Sequence, residues 1–267
     1  MVHCYMCDKD VDKFKTNSHI ISKEIFKNVK EDGKMISIDN VAGKNEYSTK
    51  EIKDDFICPE CETKTRNDDG FAKDFFIVKK YLNSSYEKLI IEGQEIDLKK
   101  IPSFKEVEKF DPTCFPKFKL FVLSLLLRHY CYLKIHEHNE LISEEHLTEI
   151  RKLYHNKEST HLNQKYPILI WKYDTLNDSV YYPYRTNIDG INSIDMLILG
   201  YRIQICVDKY HRFNNGYKIF EISSMNFNCF VFQGESQLIR DLMTNVTSNK
   251  TSRKIQNISV QPKKRKK

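Results

Sequence analysis

Two short motifs concentrate the metal-binding chemistry of this chain: Cys4-Tyr-Met-Cys7 and Cys58-Pro-Glu-Cys61. A Cys-x-x-Cys pair turns two thiolates toward one point, and two such pairs supply the four sulfurs of a tetrahedral Zn²⁺ site. About fifty residues separate the pairs, more than in a compact finger, so an insertion must lie between them. Redox chemistry is the competing use of such a motif, but two motifs bracketing one small polar segment favour metal. The other four cysteines, Cys114, Cys131, Cys206 and Cys229, stand singly among apolar residues and read as core fillers.

Between the knuckles lies Asn17-Ser-His-Ile-Ile-Ser-Lys23. A lone histidine flanked by isoleucines is ordinarily structural, but this one follows the first Cys-x-x-Cys by about a dozen residues and precedes the second. That order resembles the HNH endonuclease family. It is similar above all to an uncharacterised bacterial subgroup that carries Ser-His-Ile-Ile-Pro-Lys followed by Cys-x-x-Cys-Glu. Ser22 stands where that subgroup has Pro, and Lys23 and Glu62 match it. The resemblance covers residues 1 to about 75, with a fainter echo of a later Ser-x-x-x-Arg helix at Ser124 and Arg128.

The resemblance implies a zinc-bound ββα-metal module and phosphodiester hydrolysis. His19 would be the general base that activates water, and a catalytic Mg²⁺ or Mn²⁺ would bind the scissile phosphate. Family members place an Asp before this histidine; here it is Ser18, so one hard oxygen ligand is missing. Glu62 restores a carboxylate, and Asp69, seven residues on, shares its face of a helix. Glu62 and Asp69 are therefore the expected ligands of the catalytic ion, with Asp68 and Asn67 as alternatives. A plain solvated face built from Glu62, Arg66 and Asp69 is the competing account. The asparagine that pins the loop behind the histidine in this family is assigned to Asn40. Lys13, Lys15 and Lys23, near the histidine, read as solvated surface, with phosphate contacts as the other use. Arg128 either neutralises a helix C-terminal end or an internal Glu, or reaches the site as a phosphate ligand.

The elements that must position these residues can be read in outline. Residues 1–78 form the zinc-bound, HNH-like module, poor in large aliphatic residues and reliant on metal to fold. Residues 79–115 connect, with a small hairpin expected over Leu89–Leu98 and Gly93 in its turn. Residues 116–246 form an α+β domain. Its first helix starts at Pro116, its second spans Ser143–His155, and a third is expected over Gln237–Val246. Strand-like runs cover Tyr166–Tyr173, Ser179–Tyr184, Ile194–Val207 and Asn228–Phe232, which suggests an antiparallel sheet. The fold class expected is α+β: a zinc module followed by a helical and antiparallel-sheet domain. Tyr181, Tyr182, Tyr184 and Tyr201 alternate as core aromatics do, with base stacking as the other use.

The net charge of +6 is local. Eight basic residues and no acidic one fall from Thr247 onward, which leaves 35 basic against 37 acidic residues in the body. Residues 247–267 read as a basic disordered tail that aids binding to nucleic acid. DNA is expected ahead of RNA as partner. The apolar run Phe118–Leu127 is too short to cross a bilayer and no signal peptide is visible, so a soluble, cytoplasmic protein is expected, nuclear if the host is eukaryotic. The functional expectation is a metal-dependent endonuclease, with a defence effector as one setting. The alternative is a catalytically inactive zinc-stabilised module that binds nucleic acid or protein.

Overall fold

The computed structural model describes residues 1–29, 35–39, 44–48, 52–91, 94–97, 104–138, 141–156, 165–177, 179–188, 191–207 and 220–233. The chain begins with a hairpin of β1 (Val2–Cys4) and β2 (Lys9–Val11), which carries the first knuckle in its turn. Next come β3 (Ser18–His19), α1 (Lys23–Val29) and the paired strands β4 (Met35–Asp39) and β5 (Lys44–Ser48). β6 (Lys53–Asp54) returns antiparallel to β3 and leads into α2 (Pro59–Ala72). Cys58 caps α2, with Pro59 in its first turn, where the missing N–H is not needed.

A π-helical turn, Lys73–Ile77, extends α2 and drives Phe75 and Phe76 into the core. Phe75 stacks on Phe110 with centroids 4.5 Å apart and lies 4.9 Å from Phe118 and 5.6 Å from Phe227. This aromatic cluster fastens the end of α2 to the rest of the molecule.

β7 (Leu82–Tyr86), the hairpin β8 (Lys88–Ile91) and β9 (Gln94–Asp97), and β10 (Phe104–Phe110) follow. The hairpin falls where the sequence suggests, although Gly93 lies outside the described residues. The segment 79–115 is more than a connection: β7 and β10 are paired strands of the large sheet. Then come α3 (Phe115–Ile135), α4 (Glu144–Asn156), β11 (Ile168–Tyr173), β12 (Val180–Ile188), β13 (Ile191–Ile198), β14 (Tyr201–Cys206), β15 (Glu221–Ile222) and β16 (Asn228–Phe232). The run Ile194–Val207, read from sequence as one strand, contains parts of two. A tight turn with Leu199 at φ 49° and Gly200 at φ 84° separates β13 from β14. Both turn residues are left-handed, as the two-residue hairpin requires. A Cβ on Gly200 would meet Tyr173 O at 2.7 Å.

The sheet has eight strands in the order β12-β13-β14-β11-β16-β10-β7, with β15 on the first part of β11. Pairing is antiparallel except between β11 and β16, which run parallel, so the sheet is mixed. Pro183 falls at a register shift of β12, on the sheet edge where a missing N–H is tolerated. α3 is buried on nearly every side, which explains its almost continuous apolar sequence. It packs on α2, α4 and β12, so one hydrophobic core runs from Cys4 and Met6 to Ile203 and Cys229. Among the described residues no helix is long and apolar enough to cross a membrane. The helix expected over Gln237–Val246, the tail 247–267 and Asn40 lie outside the described residues.

Candidate metal centre and adjoining site

Folding brings Cys4, Cys7, Cys58 and Cys61 into one cluster, with their sulfurs within 4.8 Å of one another. Cys4 and Cys61 are 4.0 Å apart at Sγ, and Cys7 and Cys58 are 3.9 Å apart. Metal–sulfur bonds of about 2.3 Å in a tetrahedron put the sulfurs roughly 3.8 Å apart, so the donor set fits a metal ion such as zinc. The first knuckle closes with Asp8 N donating to Cys4 O at 2.8 Å and Asp8 in the left-handed region at φ 58°. Backbone donors address the sulfurs as well: Cys58 N lies 3.4 Å from Cys4 Sγ, and Cys61 N lies 3.5 Å from Cys58 Sγ. Burial pushes the Cys7 thiol up to about 12, and the hydrogen bond to Cys4, together with burial, raises that of Cys61. The hydrogen bond with Cys61 lowers the Cys4 thiol to about 4, and four sulfurs this close together are able to hold a metal ion.

α4 supports this knuckle from outside. Arg151 Nε donates to Tyr5 O at 2.7 Å, and His155 Nε2 donates to Met6 O at 3.1 Å. Neither residue is signalled in the sequence, because the contact spans more than 140 positions.

The segment after the knuckle is anchored by Ile20 and Ile21, both wholly buried. Ser18 is also buried, with its hydroxyl donating to Lys15 O at 3.3 Å. Asn17, left-handed at φ 55°, donates its N–H to Asp55 Oδ1 at 2.9 Å. The half-buried His19 lies opposite Lys53 in the β3–β6 pair.

Arg128, 1% exposed on α3, spans the gap between this strand and α2. One arm of its guanidinium donates to His19 O at 3.2 Å and the other to Asp69 Oδ1 at 3.0 Å. Beside this ion pair, Tyr154 of α4 donates to Asp68 Oδ2 at 2.6 Å, and burial raises the Asp68 carboxyl above its usual range. Of the readings open for Arg128, its contacts match the structural one, with Asp69 as the internal acid in place of the expected Glu.

Glu62 and Asp69 do share a helical face, as expected, but two turns separate them by roughly 10 Å of rise. Both side chains lean toward the helix N-terminus, which preserves that separation. Among the described residues the four cysteines are the only group of three or more His, Cys, Asp or Glu with ligand atoms within 4.8 Å of one another. His19, Glu62 and Asp69 therefore do not converge on one ion, and the Asp69 carboxylate is engaged by Arg128. Arg66 is exposed, as are Lys13 and Lys23. Tyr182, Tyr184 and Tyr201 spend their hydroxyls inside the protein, on Ile52 N, Asp195 and Glu108. Tyr181, Tyr182 and Tyr201 are buried core, and so are the four scattered cysteines.

His136 at the end of α3 pairs with Asp54 Oδ2 at 2.9 Å and ties β6 to the same helix that holds His19. Comparison of the chain with protein-family models, curated proteins and solved structures finds no match.

Proposed function

We propose that this chain hydrolyses nucleic-acid phosphodiester bonds, with His19 as general base in a ββα module clamped by one structural zinc ion. The observation that carries the reading is the pair of hydrogen bonds that Arg128 donates to His19 O and to Asp69. A general base must be held within hydrogen-bond reach of the water it activates. Here the strand bearing His19 is fixed to α2 by a buried guanidinium, and α2 starts in the cysteine cluster through Cys58 and Cys61. The order of elements, β3 with its histidine, β6, then α2 behind the second knuckle, supports the same reading, as does the motif likeness to HNH endonucleases.

In the proposed step the imidazole of His19 takes a proton from water as the oxygen attacks phosphorus. The P–O bond to the leaving nucleotide breaks, and the departing oxygen keeps the electron pair and takes a proton from solvent water. A divalent ion shared by Glu62 and Asp69 does not fit their separation and the engagement of Asp69. Of the expected catalytic residues, only His19 is given a role here. DNA is the proposed substrate ahead of RNA, on the module likeness and the basic residues after Thr247.

One observation favours a second reading, a zinc-stabilised module that binds nucleic acid or protein without cutting. Buried Ser18 precedes His19 where a ligand carboxylate is needed, and Asp69 is committed to Arg128. The deciding experiment incubates the purified chain with duplex DNA, single-stranded DNA and RNA, with Mg²⁺, with Mn²⁺ and without added metal. Cleavage should occur and should be lost in His19→Ala, while zinc content and melting temperature stay at wild-type values. Absence of cleavage on all three substrates would overturn the nuclease reading in favour of the second.

A further inference from the structure

The geometry points to Lys53 as a substrate-binding residue that anchors a phosphate beside His19, an inference that rests on the phosphodiester reading above. The pairing of β3 with β6 sets Ser18 against Asp54 and His19 against Lys53. The ladder continues through Ile20 N to Ile52 O at 3.4 Å, so the position after His19–Lys53 is a bonding one, although Ile52 N donates instead to the Tyr182 hydroxyl at 2.8 Å. Hydrogen-bonded and non-bonded pairs alternate in an antiparallel ladder, so His19–Lys53 is non-bonded, with Cα atoms about 4.5 Å apart. Directly opposed residues project from the same face, and in non-bonded pairs their side chains lie closest. In such a pair the backbone N–H and C=O turn away from the partner strand. The observation that His19 O accepts from Arg128 on the far side agrees with this assignment.

The charges around Lys53 leave its ammonium available. It is exposed, and among the described residues no carboxylate pairs with it. The two acids that follow it are occupied elsewhere, Asp54 with His136 and Asp55 with the N–H of Asn17. Asp54 also belongs to the opposite face of the ribbon, since successive strand residues alternate. An ammonium is a compact charge with three donors and suits a phosphodiester oxygen without reading sequence. The cation and the candidate base thus stand side by side on a two-stranded ribbon, with Arg128 buried behind it.

The test separates binding from cleavage. Affinity for a labelled DNA duplex and for RNA of the same sequence is measured against salt in a His19→Ala background, so that no substrate is cut. Adding Lys53→Ala should weaken binding several-fold and make the slope of log K against log salt shallower by about 1. Lys53→Arg should retain both affinity and slope. In the protein with His19 intact, Lys53→Ala should raise KM more than it lowers kcat. An unchanged salt slope in Lys53→Ala would overturn the assignment, and if the wild-type chain still cuts, the nuclease reading stands without it. A shallower slope in a protein that never cuts supports Lys53 as a binding residue and counts against the nuclease.

Discussion

Arg128 and Asp69 form an ion pair of 3.0 Å in which the guanidinium is 1% exposed and the carboxylate 27%. The pair joins α3 to the second half of α2, and the same guanidinium holds the carbonyl of His19. Its position is that of a brace: removing it would release β3 and leave a carboxylate beside a buried void.

The first prediction concerns that brace. Removing one partner of a fully buried pair costs about 3–5 kcal/mol, an upper bound here because the Asp69 carboxylate left behind is 27% exposed. Arg128→Met should lower unfolding free energy by up to that amount in denaturant titrations. Asp69→Asn combined with it should cost less than the sum of the single changes, which a double-mutant cycle would measure. Strict additivity would show that the two residues do not interact.

The cysteine cluster predicts a metal-dependent fold. Cys58→Ser should abolish stoichiometric zinc in elemental analysis and lower the melting temperature. Cys114→Ser, in the core away from the cluster, should leave zinc content unchanged. A strong chelator should release the ion and unfold the β1–β2 hairpin together with the start of α2. Retention of one zinc in Cys58→Ser would exclude the four-sulfur site.

Tyr154 supplies the hydrogen bond of a half-buried acid, Asp68. Tyr154→Phe keeps the ring and removes the donor, at a cost of about 1–3 kcal/mol. The Asp68 carboxyl, already raised by burial, should move further up, because the lost bond favoured its charged form. Carbon-detected NMR titration would read that shift, and a downward movement would contradict the contact.

His129 makes stability depend on pH. Burial lowers its pKa to about 3, so the folded protein keeps it neutral where the unfolded chain takes up a proton. The unfolded state therefore binds more protons between about 3 and 6.5. Stability is fully present above that window and falls as pH drops through it, by up to about 1.4 kcal/mol per pH unit. His129→Leu should flatten this slope in denaturation at pH 7, 6 and 5. Acid sensitivity of the metal site is common to both proteins and cancels in the difference. Parallel slopes would refute the assignment.

Local patterns were legible in the sequence because their causes are local. Pro59 and the Cys58 cap start α2 near where the second knuckle implies, and Pro116 lies in the first turn of α3. The β8–β9 hairpin starts one residue before the run Leu89–Leu98 that the sequence marks, and β16 coincides with the run Asn228–Phe232. The pairing of Cys4 and Cys7 with Cys58 and Cys61 was legible too, since few uses other than metal bring two such motifs around one segment.

What the sequence by itself determined, then, was the type of some elements, α3, α4, the β8–β9 hairpin, β11 and β16, and the residues able to bind a metal. The tertiary structure decided how the shared helical face of Glu62 and Asp69 is used. The face exists, but α3 delivers Arg128 to Asp69 from 59 positions away. It likewise set Lys53 opposite His19, made β7 and β10 part of the sheet, and placed Arg151 and His155 behind the first knuckle. Helix periodicity and turn chemistry depend on neighbours within a few positions. Ion pairs and strand register depend on which distant surfaces pack together, and packing is settled by the whole core at once.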